Sequence, residues 1–171
     1  MEPPSTPATG TDPPTPRRRP HDRLTWLFHH AIGANEAALR DIFRDLDITM
    51  AQFLALTDVA RLGEVPPAHL AYASGISRQS MHASLRRMQR AGLVRLHPAY
   101  DGRGANVVAI TKRGEAVRRR AEEQTLWFER LIAARLGDPR RDELARLLRA
   151  YVRTIEQLWN RPSVAAWQWD D

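Results

Sequence analysis

The chain has 171 residues, enough for one domain with additional helices and too few for two independent cores. Apolar residues make up 43% and charged residues 27%; no stretch reaches the roughly 20 apolar residues of a membrane span, and the N-terminus lacks the apolar core of an export signal, so a cytoplasmic protein is expected. Cysteine is absent, which removes disulfides, thiol redox chemistry and thiolate metal sites, and the net charge of +6 turns attention to polyanionic partners.

Residues 1–20 hold seven of the twelve prolines, with Ser, Thr and Gly filling six of the other thirteen positions. Such a stretch buries no core and is expected to be a disordered tail. From Asp22 to Leu46 the apolar residues recur at helical spacing, from Leu24, Leu27 and Phe28 to Leu39, Ile42, Phe43 and Leu46, and Asp22 is placed to cap the start. Thr49 and Gln52 have capping-box spacing and open a second helix whose inner face is Phe53, Leu56 and Val59, with Gly63 as its stop. Pro66-Pro67 begins a short third helix carrying Leu70 and Ala71.

Gly75-Ile76-Ser77 reads as a tight turn with an N-cap, and Arg78 to Ala91 as a helix that buries Met81, Leu85 and Met88 and ends at Gly92. Leu93 to His97 and Asn106 to Ile110 read as antiparallel strands around a tip in which Gly102 and Gly104 permit positive φ. Thr111 caps a long helix to about Leu136. Asp138-Pro139 is a capped start for the last helix, which carries Leu144, Leu147, Leu148, Tyr151, Ile155 and Leu158 on one stripe.

A short helix, a glycine turn, a basic helix and an immediate hairpin predict a mainly α, winged helix-turn-helix fold, with the DNA-binding domain at 48–110. The charge is concentrated there. Between Ser77 and Arg113 eight basic residues face the single acid Asp101, a balance of +7, while the rest of the chain, with 18 basic and 19 acidic residues, balances at −1. Lys112 is the only lysine, so a bias explains Arg over Lys but not the missing acids. With Met81, Leu85 and Met88 inward, the opposite face of the helix holds Arg78, Gln79, His82, Ala83, Arg86 and Arg90. Arg can donate twice to guanine and Gln can pair with adenine in a major groove about 12 Å wide. Ser77, Ser80 and Arg87 are better placed for phosphates, which fix position rather than sequence. At the hairpin tip Arg103 suits a narrow minor groove, and Asp101 is a brace for an arginine. Taken singly, these are equally a solvated basic helix and an ordinary Asp-Gly turn; their adjacency favours double-stranded DNA.

At these residues the chain resembles the MarR-type winged-helix regulators. The resemblance rests on Leu70-Ala71, Gly75-Ile76-Ser77, Leu85-Arg86-Arg87-Met88, Ala91-Gly92-Leu93-Val94, Asp101-Gly102-Arg103 and Ile110-Thr111-Lys112-Arg113-Gly114, with Thr49-Met50-Ala51-Gln52-Phe53 similar to the family's second-helix opening. It covers about 22–159. It implies a homodimeric transcriptional regulator, a repressor, on a pseudo-palindromic operator, with residues 21–47 and 111–160 as dimerisation helices; the apolar surplus on Trp26, Ile32, Trp127, Phe128, Leu131, Leu147 and Ile155 agrees. One departure stands in the recognition helix, where the family's frequent Thr-Arg pair is replaced by His82-Ala83, which makes binding responsive to protonation.

The family's small aromatic or anionic effectors bind between the dimerisation helices and the winged helix, and the corresponding residues here are Trp26, His29, His30, Met50 and Phe53. The spacing itself favours the other reading, with Trp26 and Phe53 in the core and the histidines on the surface. Adjacent histidines point about 100° apart on a helix, so no metal or other cofactor is expected. No phosphate-binding glycine loop, His-Glu-x-x-His or nucleophile elbow is present, which argues against an enzyme. The alternative is an architectural or protein-interaction winged helix without an operator. Trp167 and Trp169 in the tail 161–171 are expected to pack on the dimer body.

Overall fold

The computed structural model describes residues 22–99 and 106–159; the tail and wing-tip expectations, including those on Asp101, Arg103, Trp167 and Trp169, lie outside them. The chain divides into two compact units, residues 1–36 and 37–171. In the first, the described residues are mainly the opening turns of helix α1 (Leu24–Ile42), where Leu24, Trp26, Leu27 and Ile32 are exposed.

The second unit starts with the remaining turns of α1. The spacing predicted one helix to Leu46; α1 instead ends at Ile42, followed by a single tight turn, Arg44–Leu46, and Asp47 at φ 51. Asp tolerates this left-handed conformation better than most residues. The break buries Ile48 and leaves Thr49 extended as the cap of α2 (Met50–Leu62). Both halves of the predicted capping box form: the Gln52 backbone N–H donates to Thr49 Oγ1 at 3.3 Å, and the Thr49 N–H donates to Gln52 Oε1 at 2.9 Å.

Helices α3 (Pro67–Ala73) and α4 (Arg78–Arg90) follow, then strands β1 (Val94–Pro98) and β2 (Asn106–Ile110), and helices α5 (Lys112–Leu136) and α6 (Asp138–Trp159). The strands pair antiparallel from Val94 opposite Ile110 to Pro98 opposite Asn106. Val65 exchanges two backbone hydrogen bonds with Val108, at 3.1 and 2.9 Å, so the chain between α2 and α3 borders the hairpin. At the start of α6, Asp138 is already helical; the Gly137 carbonyl accepts from Arg140 and Arg141, so the capping position is Gly137, one residue before the expected Asp138. No described helix is long and apolar enough to cross a membrane.

One core joins these elements apart from α6, which places no residue in it. Phe43, Leu56, Leu70, Met81, Leu85, Met88, Val94 and Val108 are almost fully buried in it, each contributing about 1.5–3 kcal/mol of apolar burial. Helix α5 is fastened at its first turn. Thr111 Oγ1 accepts from the Gly114 N–H at 2.9 Å and donates to the Gly92 carbonyl at 2.7 Å. A Cβ on Gly114 would stand 2.0 Å from the Leu93 carbonyl oxygen, so only glycine fits. Further along, Arg120 Nη2 and Gln124 Nε2 donate to the two oxygens of Asp45, at 2.9 and 3.0 Å, tying the tight turn to α5.

Two outcomes follow. Gly114→Ala overpacks backbone against backbone and should destabilise by about 1–3 kcal/mol or more, read as a lower urea midpoint at unchanged slope. The Gln124 hydrogen bond, opposed by partial desolvation and reinforced by the Arg120 charge, holds the Asp45 carboxyl below its usual range. A carboxyl lowered on folding stabilises above its unfolded pKa of about 4 and loses that contribution as pH falls through the folded value. Asp45→Asn should therefore flatten the acid limb of a stability-versus-pH curve in that window.

Candidate nucleic-acid interface

Helix α4 is set by its cap and its buried stripe. Ser77 Oγ accepts from the Ser80 backbone N–H at 3.0 Å, and the two hydroxyls lie 2.8 Å apart. Met81, Ser84, Leu85 and Met88 are buried, while Arg78, Gln79, His82, Arg86, Arg87 and Arg90 are exposed and Ala83 is half-buried. The helix thus brings the predicted polar residues from Ser77 to Arg90 onto its outer side. Arg90 folds back, its Nε donating to the Arg86 carbonyl at 3.4 Å.

The guanidiniums of α4 differ from those in the middle of α5. Among the described residues no carboxylate pairs with Arg78, Arg86, Arg87 or Arg90. On α5, Arg118 donates to Glu115 at 3.0 Å and to Glu122 at 2.7 Å, and Arg119 reaches Glu115 at 3.1 Å. On α6, Arg146 pairs with Glu143. Hydrogen bonding from Arg118 holds the Glu115 carboxyl below its usual range and raises the Arg118 guanidinium further. The charges of Arg118, Arg119 and Arg146 are cancelled locally; those on α4 project into solvent, the condition for attracting phosphates.

Beside α4, Arg95 on β1 and Lys112 and Arg113 at the start of α5 are exposed. His97 on β1 has Nε2 3.2 Å from Glu64 Oε1, a contact across 33 positions that no sequence spacing announces. The wing tip with Asp101 and Arg103 lies outside the described residues. Of the residues singled out for an effector, Phe53 is 8% exposed, 5.6 Å ring to ring from Phe43, and is a core residue; Met50 packs half-buried against the same core. Trp26, His29 and His30 form a row on α1, with ring centroids 6.2 Å apart for Trp26–His30 and 5.9 Å for His29–His30. Among the described residues no three potential metal ligands cluster.

Comparison with known proteins agrees with this geometry. The profile of the MarR family matches residues 46–104. The homoprotocatechuate degradative operon repressor of Escherichia coli is 32% identical over 133 residues, spanning 77% of this chain and 89% of that one. The HTH-type transcriptional repressor Rv2887 of Mycobacterium tuberculosis is 31% identical over 104 residues, 60% of this chain and 74% of that one. Among solved structures, the transcriptional repressor CouR bound to a 23-mer DNA duplex superposes with a TM-score of 0.71 at 22% identity, covering 75% of this chain and 92% of that one. Rv2887 in complex with salicylic acid gives 0.61 at 25% identity, covering 75% and 96%.

The cap of α4 is open to a direct check. Ser77→Ala should cost about 1 kcal/mol of stability, whereas Ser80→Ala keeps the backbone N–H that Ser77 caps and should leave the unfolding midpoint nearly unchanged.

Proposed function

The chain belongs to the MarR family of DNA-binding transcriptional regulators, and from that premise we propose that it is a homodimeric repressor reading a pseudo-palindromic operator with α4 of each protomer. The observation that carries this is the cationic face of α4, where four exposed arginines have no carboxylate partner among the described residues and the helix itself holds no acid. In this reading Arg78, Gln79, His82, Arg86 and Arg90 meet base edges or the adjoining backbone, Ser77, Ser80 and Arg87 seat phosphates, and Arg103, braced by Asp101, enters the minor groove.

Pairing of two chains is supported by apolar surface that a lone chain leaves in water. On α5 and α6, Leu126, Trp127, Leu131, Leu144, Leu147, Ile155 and Leu158 are exposed, far beyond the scatter expected of a monomer surface. The first unit separately exposes Leu24, Trp26, Leu27 and Ile32. A two-fold axis would set two α4 helices about one helical turn, roughly 34 Å, apart on the duplex. Release by a small aromatic or anionic effector belongs to the proposal; salicylic acid is the molecule in the complex of one solved relative, and the row Trp26, His29, His30 of the first unit offers ring faces and imidazoles.

The test is selection of bound sequences from random duplexes, followed by footprinting and sedimentation. A palindromic consensus and a dimeric mass are expected; uniform protection of all sequences would indicate an architectural protein, and a lone protomer would sink the dimer. Arg86→Ala should cost about 1–3 kcal/mol and relax preference at one position if it reads a base. Arg103→Ala should flatten the logarithmic salt dependence by about one phosphate equivalent.

A further inference from the structure

The register of the hairpin sorts its side chains between two faces. Alternation turns Val94, Leu96, Val108 and Ile110 to the core and Arg95, His97, Val107 and Ala109 outward. Val107 is nonetheless only 7% exposed, although it takes no part in the core. Its cross-strand partner is His97. Glu64 reaches the same histidine from the other edge of β2, its Oε1 3.2 Å from His97 Nε2. Glu64 precedes Val65, which borders β2 through its two hydrogen bonds with Val108. The side-chain contact therefore runs from that border over β2 to β1.

The second ring nitrogen has a partner too, since His97 Nδ1 lies 3.1 Å from the Pro98 carbonyl oxygen. A carbonyl only accepts and an ionised carboxylate only accepts, whereas a neutral imidazole has a single N–H. The ring thus stands between two acceptors and satisfies both only as the imidazolium, which donates from each nitrogen. When neutral it turns a bare lone pair on either the Pro98 carbonyl or the Glu64 carboxylate, and one of the two contacts is repulsive. The groove around this contact is lined by Glu64, Arg95 and His97 as its ionisable groups among the described residues; α4 and the turn before α5 bring Gln89 and Thr111, which carry no charge. Arg95 keeps its charge at every pH of interest, so the proton dependence belongs to the Glu64–His97 pair. A carboxylate and an imidazolium coexist in mildly acidic solution.

We propose that Glu64 and His97 are positioning residues, and that their clasp, closed by protonation of the ring, fixes the hairpin at the angle from which it meets the duplex. In mildly acidic solution the ring ties β1 to the segment ahead of α3 and covers Val107. In alkaline solution the tie is lost while the backbone pairing of Val65 with Val108 remains, so the hairpin keeps its fold and gains freedom. Ordering it then falls to the duplex, and affinity drops by that cost. The consequence for DNA rests on the regulator reading; the clasp itself does not. His82 lies on a different element, α4, and adds a pH response of its own, which cancels when wild type is compared with variants of the clasp.

A double-mutant cycle on the full chain reads the clasp. Urea unfolding of wild type, Glu64→Ala, His97→Phe and the double variant is compared at about pH 5.5 and about pH 8.5. Phenylalanine keeps a ring beside Val107 and removes both nitrogens. The expected result is a coupling between Glu64 and His97 of about two- to fivefold in the unfolding constant at the lower pH, and none at the higher. Equal coupling at both, or none at either, would overturn the clasp. Fluorescence anisotropy with the selected duplex, at constant ionic strength, reads the positioning. From the lower pH to the higher, wild-type affinity should fall by about two- to fivefold more than that of either single variant. The same fall in all three would overturn the positioning role even where the coupling is found. Should His97→Phe not fold, the exposed Glu64→Ala decides: it should be less stable than wild type at the lower pH and equal to it at the higher, and any other pattern counts against the clasp. A chain that binds no duplex at either pH would remove the regulator reading, and the cycle would still decide the clasp.

Discussion

The second unit depends on one close approach, the first turn of α5 against the carbonyl of Leu93. Leu93 follows α4 directly and leads into β1, so the contact fixes three elements together. The Thr111 hydroxyl completes it by accepting from Gly114 and donating to Gly92. Without a side chain at 114, α5 can lie on the backbone itself, which sets the angle at which α4 and the hairpin leave the long helix. The apolar core then fills behind this joint, with Met88 and Val94 on either side of it.

Electrostatics divides the unit by pairing rather than by composition. Arginine is abundant on α4 and α5 alike. On α5 each of Arg118, Arg119 and Arg120 has a carboxylate within 3.1 Å, so their field is short-ranged. On α4 no acid stands at i−4, i−3, i+3 or i+4 to any arginine, because the helix contains none. A helix that repels itself this way is held by its cap and by Met81, Leu85 and Met88, and its field extends to a partner.

Much of the fold was legible in the sequence because its signals are local. A capping box, a proline-started helix and a pair of neighbouring strands need only local signals, and the buried faces of α2 and α4 follow from a period of 3.6. What escaped was non-local. The end of α1 at Ile42 depends on Asp47 adopting a left-handed conformation so that Ile48 can reach the core, and nothing in the apolar spacing separates that from one more helical turn. The clasp of Asp45 on Arg120 and Gln124 and the contact of His97 with Glu64 join residues far apart in the chain. For the candidate interface, helical spacing named the outward residues of α4. It could not show that their charges stay unpaired, nor that Phe53 is occupied by packing against Phe43.

The pairing of Val65 with Val108 bears on how the hairpin moves. A free two-stranded ribbon would swing about its own ends, and any pull on it would die out in the chain that joins it to the neighbouring helices. Here the ribbon is stitched midway along β2 to the segment entering α3. A displacement of β2 therefore has to carry Val65 with it, and Val65 stands two residues before the start of α3.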